Sequence, residues 1–292
     1  MTKTLLAIFL FAAAANPQSK GGFRGSASLS FTQKAVAVGP RPSGSDSLLK
    51  LRTWLLKELK PLGPQIDVDN FTAQTPAGPV EMANIIAKFP GGSGKALVIS
   101  GHYDTKSIPM VNFVGANDGG SSTGFLLEVA HSLAHQKQKD DIYLVWFDGE
   151  EAVGQWSESD SRYGSRHLAQ KWTLDGTLSR VKAMINVDMI GDKDLSIVND
   201  DNSSRSLRDL IWQIAKKLGY EKHFQGQGAS IDDDHLPFVS AGVNAIDLID
   251  FSYGPQNSYW HTEKDTADKL SARSFQIVGD VVMKAIGELQ NQ

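Results

Sequence analysis

Between Ser47 and Leu62 leucine recurs at helical spacing with Lys and Arg between, and Pro61 and Gly63 close the run, so this stretch predicts an amphipathic helix. Downstream the pattern changes. Short apolar runs rich in β-branched residues, Ala96 to Ser100, Ile142 to Phe147 and Ala183 to Val187, alternate with helical patterns over Ser122 to Gln136 and Ser204 to Leu218. Strands interleaved with helices predict an α/β fold. Strands that are apolar almost throughout predict a sheet covered on both faces, hence three α/β/α layers around a mixed, mostly parallel central sheet. In such open sheets ligands bind beyond the carboxyl ends of the strands, where loops converge over a rigid support.

The first residues, MTKTLLAIFLFAAAANPQSK, place Lys3 before an apolar run from Leu5 to Ala15 that ends in small residues. This is the pattern of a secretory signal peptide over 1–15, cleaved near Ala15, and the run falls well short of the roughly 20 apolar residues of a spanning helix. Residues 16–30 are rich in Gly and Ser and read as a flexible lead-in, with one folded domain over 31–292. Cysteine is absent, so an exported chain must rely on packing and on any bound metal rather than on disulfides. Export to a periplasm or secretion is the expected destination, with no membrane attachment after cleavage.

Composition adds only exclusions. With 41% hydrophobic residues, 21% charged residues and a formal net charge of -4, the 292-residue chain reads as an ordinary globular protein, expected to be a monomer. Its basic stretches, such as Lys216-Lys217, are short and diluted by acids, which argues against a nucleic-acid partner. The Gly-rich GANDGGSSTG lacks the Gly-Lys-Ser/Thr of a phosphate loop.

Ligand-type side chains cluster at the expected strand ends. ALVISGHYDTK offers His102 and Asp104, GANDGG offers Asp118, VWFDGEEA offers Glu150 and Glu151, and MINVDMIGD offers Asp188; His261 follows in SYWHTEKDT. Histidine with carboxylate and no cysteine is a catalytic style of zinc site, with coordination positions left open. Consecutive residues leaving a strand point in different directions, so one glutamate of the Glu150-Glu151 pair can bind a metal while its neighbour faces the reacting atoms as a general base. The metal's charge would offset their repulsion. His131 and His135 stand four apart on a helix, yet lack an adjacent glutamate and read as structural, and His167 and His223 have no carboxylate constellation of their own.

These motifs resemble the zinc exopeptidase family M28 and, within it, the glutaminyl-peptide cyclotransferase branch, over the chain from about Val38 to the C-terminus. Generic family marks are GPRPSGS, NIIAKFPG, GHYDTK, GANDGGSSTG, FDGEEA and NVDMIGD; marks closer to the cyclotransferases are WSESDSRYGSRHLA, DDDHLPF and the pair Trp260-His261. The resemblance implies one catalytic domain of the zinc-exopeptidase, phosphorylase/hydrolase-like fold. It implies Asp118, Glu151 and His261 as zinc ligands and Glu150 as the base. In the aminopeptidases of the family the equivalents of His102 and Asp188 hold a second zinc, bridged by that of Asp118. The cyclotransferases use one, so the ligand set alone does not separate the branches. The resemblance further implies that Trp156 and Trp260 line a pocket for a glutamine side chain and that Asp188 and Asp233 join a hydrogen-bond network around the base. Asp247 stands where the animal enzymes carry His, the loop from Asp250 to Tyr259 is longer, and Cys is missing, which puts pocket detail outside the resemblance.

The implied reaction is conversion of the N-terminal glutamine of peptides or proteins to pyroglutamate with loss of ammonia. The alternative is a zinc aminopeptidase in which Glu150 activates water against the first peptide bond. A third class, a binding module on a hydrolase scaffold, sits poorly with an intact Glu150.

Overall fold

The structure, a computed structural model, describes residues 22–292. The signal-peptide assignment to 1–15 lies outside the described residues, as do residues 16–21 of the expected lead-in.

The predicted α/β alternation is present and longer than the sequence patterns suggested. In chain order the elements are α1 (Gly25–Val36), α2 (Asp46–Leu59), β1 (Gln65–Thr75), β2 (Gly78–Phe89), β3 (Ala96–His102), α3 (Gly120–Leu133), β4 (Asp141–Phe147), α4 (Tyr163–Leu174), β5 (Val181–Asp188), β6 (Asn199–Asp200), α5 (Arg205–Lys217), β7 (Gly228–Ala229), α6 (Leu236–Ser240), β8 (Ala245–Ile249) and α7 (Ala272–Gln290). Six strands form the central sheet in the order β1-β2-β4-β3-β5-β8. The last four are parallel, while β2 pairs antiparallel with both β1 and β4.

Strand alternation divides the core into two. Leu97 and Ile99 of β3, with Ile142, Leu144 and Trp146 of β4, face a large apolar layer shared with α1, α2, α3, α5 and α7. Ala96 and Val98, with Tyr143, Val145 and Phe147, face a smaller layer with Leu168 and Trp172 of α4 and Phe238 of α6. Side chains of a strand point alternately to its two faces, so strands buried on both must be apolar throughout. Helix α3 is buried along nearly its whole length, with His131 the exception.

The expected flexible lead-in is corrected by α1. Gly and Ser there permit close helix packing instead of disorder. A Cβ on Gly124 of α3 would lie 2.2 Å from Thr32 Oγ1 of α1, and one on Gly279 of α7 would lie 2.1 Å from the Phe23 ring. Phe23 is buried, and Arg24 pairs with Glu128 of α3 at 2.9 Å. The folded body therefore includes Phe23 and begins before the expected Phe31.

Strand β3 is the switch point that positions the site. The chain passes from β3 to β4 on one side of it and onward to β5 on the other. A crevice opens at the carboxyl ends of strands where order reverses in this way. His102 ends β3, Asp188 ends β5, and Glu150 and Glu151 follow β4.

Candidate active site

Two trios of ligand atoms meet at that crevice, His102 with Asp118 and Asp188, and Asp118 with Glu151 and His261, the atoms of each lying within 4.8 Å of one another. His102 Nε2 stands 3.2 Å from both Asp118 Oδ1 and Asp188 Oδ1, and His261 Nε2 stands 3.0 Å from Glu151 Oε1 and 3.2 Å from Asp118 Oδ2. One ring nitrogen carries at most one proton and cannot satisfy two carboxylates. Asp118 Oδ2, though 3.2 Å from His261 Nε2, is left without a hydrogen-bond partner. Buried orphan oxygens facing imidazole nitrogens are donors arranged for a cation, and the nitrogen and oxygen donor set fits zinc.

Electrostatics point the same way. Burial would push both imidazoles toward neutrality, yet neighbouring acids win: His102 is raised well above its ordinary pKa by Asp188, Asp104 and Asp118, and His261 rises to about 10 beside Asp118 and Glu151. Burial would likewise raise Asp118, but the two histidines hold it below the carboxylate range. A cation's charge would be favoured where these acids converge.

The Glu150-Glu151 pair separates as its spacing suggested. Glu151 turns toward His261 and Asp118, whereas Glu150 stays outside both trios, with Oε2 3.9 Å from His102 Nδ1. Burial pushes the Glu150 carboxyl well above its ordinary range; Glu151, Asp233 and Asp234 add repulsion and His102 opposes them. Asp188 rises to about 7, through burial and then repulsion from Asp233 and Asp118 against the pull of His102. A buried glutamate whose carboxyl is raised above its ordinary range suits general acid and base work.

Asp104 is ligand-like in sequence but belongs to neither trio. Its two oxygens accept the backbone N–H groups of Glu150 and Glu151 at 3.2 and 3.4 Å, and so set the direction in which the pair leaves β4. Gly149, just before the pair, adopts a φ of 72°, and a Cβ there would lie 2.5 Å from Met82 Sδ. Sequence reasoning missed two further braces. Asp265, in the SYWHTEKDT segment, accepts the backbone N–H groups of Asn117 at 2.8 Å and Asp118 at 3.2 Å. Arg41 of the GPRPSGS motif is fully buried and donates to the carbonyls of Tyr103, Val114 and Gly115. Both act on backbone groups of segments distant in sequence, so neither carried a signal that pattern reading could use.

A cavity of about 520 Å3 opens over these groups, lined by Asp118, Glu150, Glu151, Asp188, Asp233 and His261 with Trp156, Phe251 and Trp260. Trp260 stacks on His261 at 4.0 Å between centroids and meets Phe251 edge-on at 5.0 Å. Trp156 is 40% exposed at the cavity wall. Asp233 points its charge toward Glu150 and Asp188, with Asp247 buried behind it. Of the site residues named from sequence, all but His102 and Asp104 line this cavity, and His102 stands 3.2 Å from the lining residues Asp118 and Asp188.

The remaining histidines stand apart. His131 stacks on Phe31 at 5.2 Å, and His223 Nδ1 lies 3.0 Å from the Leu195 carbonyl. His167, expected to lack an acidic neighbour, stands 3.4 Å from Asp69 across 98 positions of sequence, a proximity created by α4 packing on the sheet.

The model of peptidase family M28 matches residues 84–286. The chain belongs to family M28. The match to the M28 family runs from β2 to α7, so it contains every metal-trio residue but not Arg41. Within M28, the glutaminyl-peptide cyclotransferase of Drosophila melanogaster is 32% identical over 257 residues, covering 79% of this chain and 72% of the fly protein. The crystal structure of an Acidobacteriales bacterium glutaminyl cyclase shares 42% identity with a TM-score of 0.90, covering 96% of this chain and 99% of that one. A Zn-dependent exopeptidase from Parabacteroides distasonis is 25% identical with a TM-score of 0.82, over 92% of this chain and 99% of that one. This M28 chain therefore belongs to the cyclotransferase branch.

Proposed function

We propose that the protein is a zinc-dependent glutaminyl-peptide cyclotransferase that converts N-terminal glutamine of peptides and proteins to pyroglutamate and releases ammonia. The observation that carries this reading is the joint lining of one cavity by Glu150, held outside the metal trios, and by the indoles of Trp156 and Trp260. Two indoles form narrow, flat walls suited to a planar carboxamide. Similarity to the Acidobacteriales glutaminyl cyclase supports the choice of branch.

Asp118, Glu151 and His261 would hold the zinc, which when bound supplies Lewis-acid polarisation of the γ-carboxamide. The substrate's own α-amino nitrogen attacks the side-chain carbonyl carbon, a C–N bond forms, and the C–N bond to the departing ammonia breaks. Glu150 accepts the proton from the attacking amine and delivers it to the leaving nitrogen. Asp233 raises its basicity through charge, and Asp188, itself repelled by Asp233, completes the network around it. The pocket's contribution is largely positional, because the nucleophile is already tethered to its target.

The second trio, His102 with Asp118 and Asp188, favours an alternative: a two-zinc aminopeptidase with Glu150 activating water. One experiment separates them. The purified protein is incubated with a Gln-initiated peptide, and metal content, ammonia and product mass are measured. One zinc, ammonia release and an uncleaved chain lighter by ammonia support the cyclotransferase; two zincs with free amino acids released from varied N-termini overturn it. No described helix is long and apolar enough to cross a membrane. An exported monomer acting on peptide N-termini in a periplasm or outside the cell completes the proposal.

A further inference from the structure

We propose that Arg162 is a positioning residue of the pocket, acting through Asp232 to hold Trp156 against the substrate. The kinetic consequence rests on the cyclotransferase reading; the structural one does not.

Trp156 sits in a loop, outside any strand or helix, and an exposed tryptophan there needs something to fix its rotamer. The Asp232 carboxylate supplies it. Its Oδ2 accepts the indole Nε1–H at 2.9 Å, while its Oδ1 pairs with the Arg162 guanidinium. The same guanidinium lies over the indole, its central carbon 5.9 Å from the ring centroid. Arg162 thus holds Trp156 twice, once through a shared acid and once by direct contact with the ring. Charge-assisted hydrogen bonds and cation–π contacts strengthen as water is excluded, and Arg162 is buried at 6% exposure.

The backbone of Arg162 closes the link to the chemistry. Its N–H donates to the Glu150 carbonyl at 2.8 Å, and its φ of 51° lies in the left-handed region that side chains avoid. An arginine kept in that conformation, next to the proton-transfer residue and reaching a pocket wall, joins the two parts of the site. Asp232 also adjoins Asp233, so the clamp ties together two of the segments that line the cavity, 154–156 and 230–233. A loosened indole must be reordered each time substrate binds, which weakens binding and leaves proton transfer intact.

The test uses the full-length zinc-loaded protein, with Arg162→Met, Asp232→Asn, Trp156→Phe and the double variant Arg162→Met/Trp156→Phe. KM and kcat are measured on a Gln-initiated peptide, and indole Nε1–H resonances are recorded on 15N-tryptophan-labelled samples. Loss of these contacts should raise KM about tenfold in Arg162→Met with kcat changed less than about threefold. The Trp156 resonance, identified by its absence in Trp156→Phe, should move upfield in Arg162→Met. The double variant should have the KM of Trp156→Phe. An unchanged KM and resonance in Arg162→Met, or effects that multiply in the double variant, would overturn the proposal. Asp232→Asn alters an exposed residue and carries the same test if Arg162→Met does not fold. A wild-type protein that releases no ammonia would overturn the activity instead, while the resonance would still decide the clamp.

Discussion

The carboxylate of Asp104 holds the backbone N–H of Glu150 at 3.2 Å. With its other oxygen on the Glu151 N–H, it fixes the direction in which the acid pair leaves β4. Replacing Asp104 with Ala is expected to lower kcat/KM by about 100-fold through misplacement alone. Metal analysis of the variant should still find zinc, since neither trio includes Asp104. Loss of the metal would mean instead that Asp104 shapes the ligand set.

Glu150→Gln separates proton transfer from metal binding. General-base assistance contributes about a hundred- to ten-thousand-fold in rate, so turnover should fall by at least that lower bound. Zinc stoichiometry should stay at the wild-type value because Glu151, not Glu150, faces His261. Unaltered turnover in single-turnover assays would remove Glu150 from the mechanism.

Much of this site was legible because metal ligation concentrates rare side chains at strand ends, and strand ends follow from apolar runs. His102, Glu150, Glu151 and Asp188 could be placed that way. Their braces could not, because Asp265 and Arg41 act through backbone groups and their partners lie far away in sequence. Strands β1 and β2 escaped for another reason. β1 alternates half-buried and exposed residues at a sheet edge and reads as polar, while Gly78 and Pro79 disguise the start of β2. Helix α1 was hidden by its small residues, which pattern reading takes for a linker and packing uses for contact.

Asp250 offers a pH prediction away from the metal trios. Burial raises its carboxyl to about 6, with Asp192 adding repulsion and hydrogen bonds from Ser252 and Ser196 opposing. The folded pKa exceeds the unfolded one, so its stabilisation is fully present below about pH 4 and is lost as pH rises through about 6. Asp250→Asn should therefore gain on wild type by roughly 2–3 kcal/mol between pH 4 and pH 7. Urea denaturation at both pH values measures the difference. A constant difference would place the Asp250 pKa near its ordinary value.

The contact between α1 and α3 has a cost that can be measured too. Since a Cβ on Gly124 would lie 2.2 Å from Thr32 Oγ1 and 2.4 Å from the Thr32 backbone nitrogen, Gly124→Ala must push the helices apart. Overpacking of this kind destabilises by about 1–3 kcal/mol, outweighing alanine's better helix propensity. The thermal midpoint should fall, with zinc-saturated kinetics unchanged below it. A raised midpoint would mean that α1 is only loosely docked.

The antiparallel end of the sheet has its own consequence. Strands β1 and β2 form a long hairpin ladder from Gln65 opposite Lys88 to Thr75 opposite Gly78, and none of the metal-trio residues lies on it. Its outer edge, away from the tip where Pro76 lies against Gly154 of the cavity wall, is therefore a region where lineages can graft new recognition surfaces, or an experimenter an affinity handle, without disturbing the chemistry.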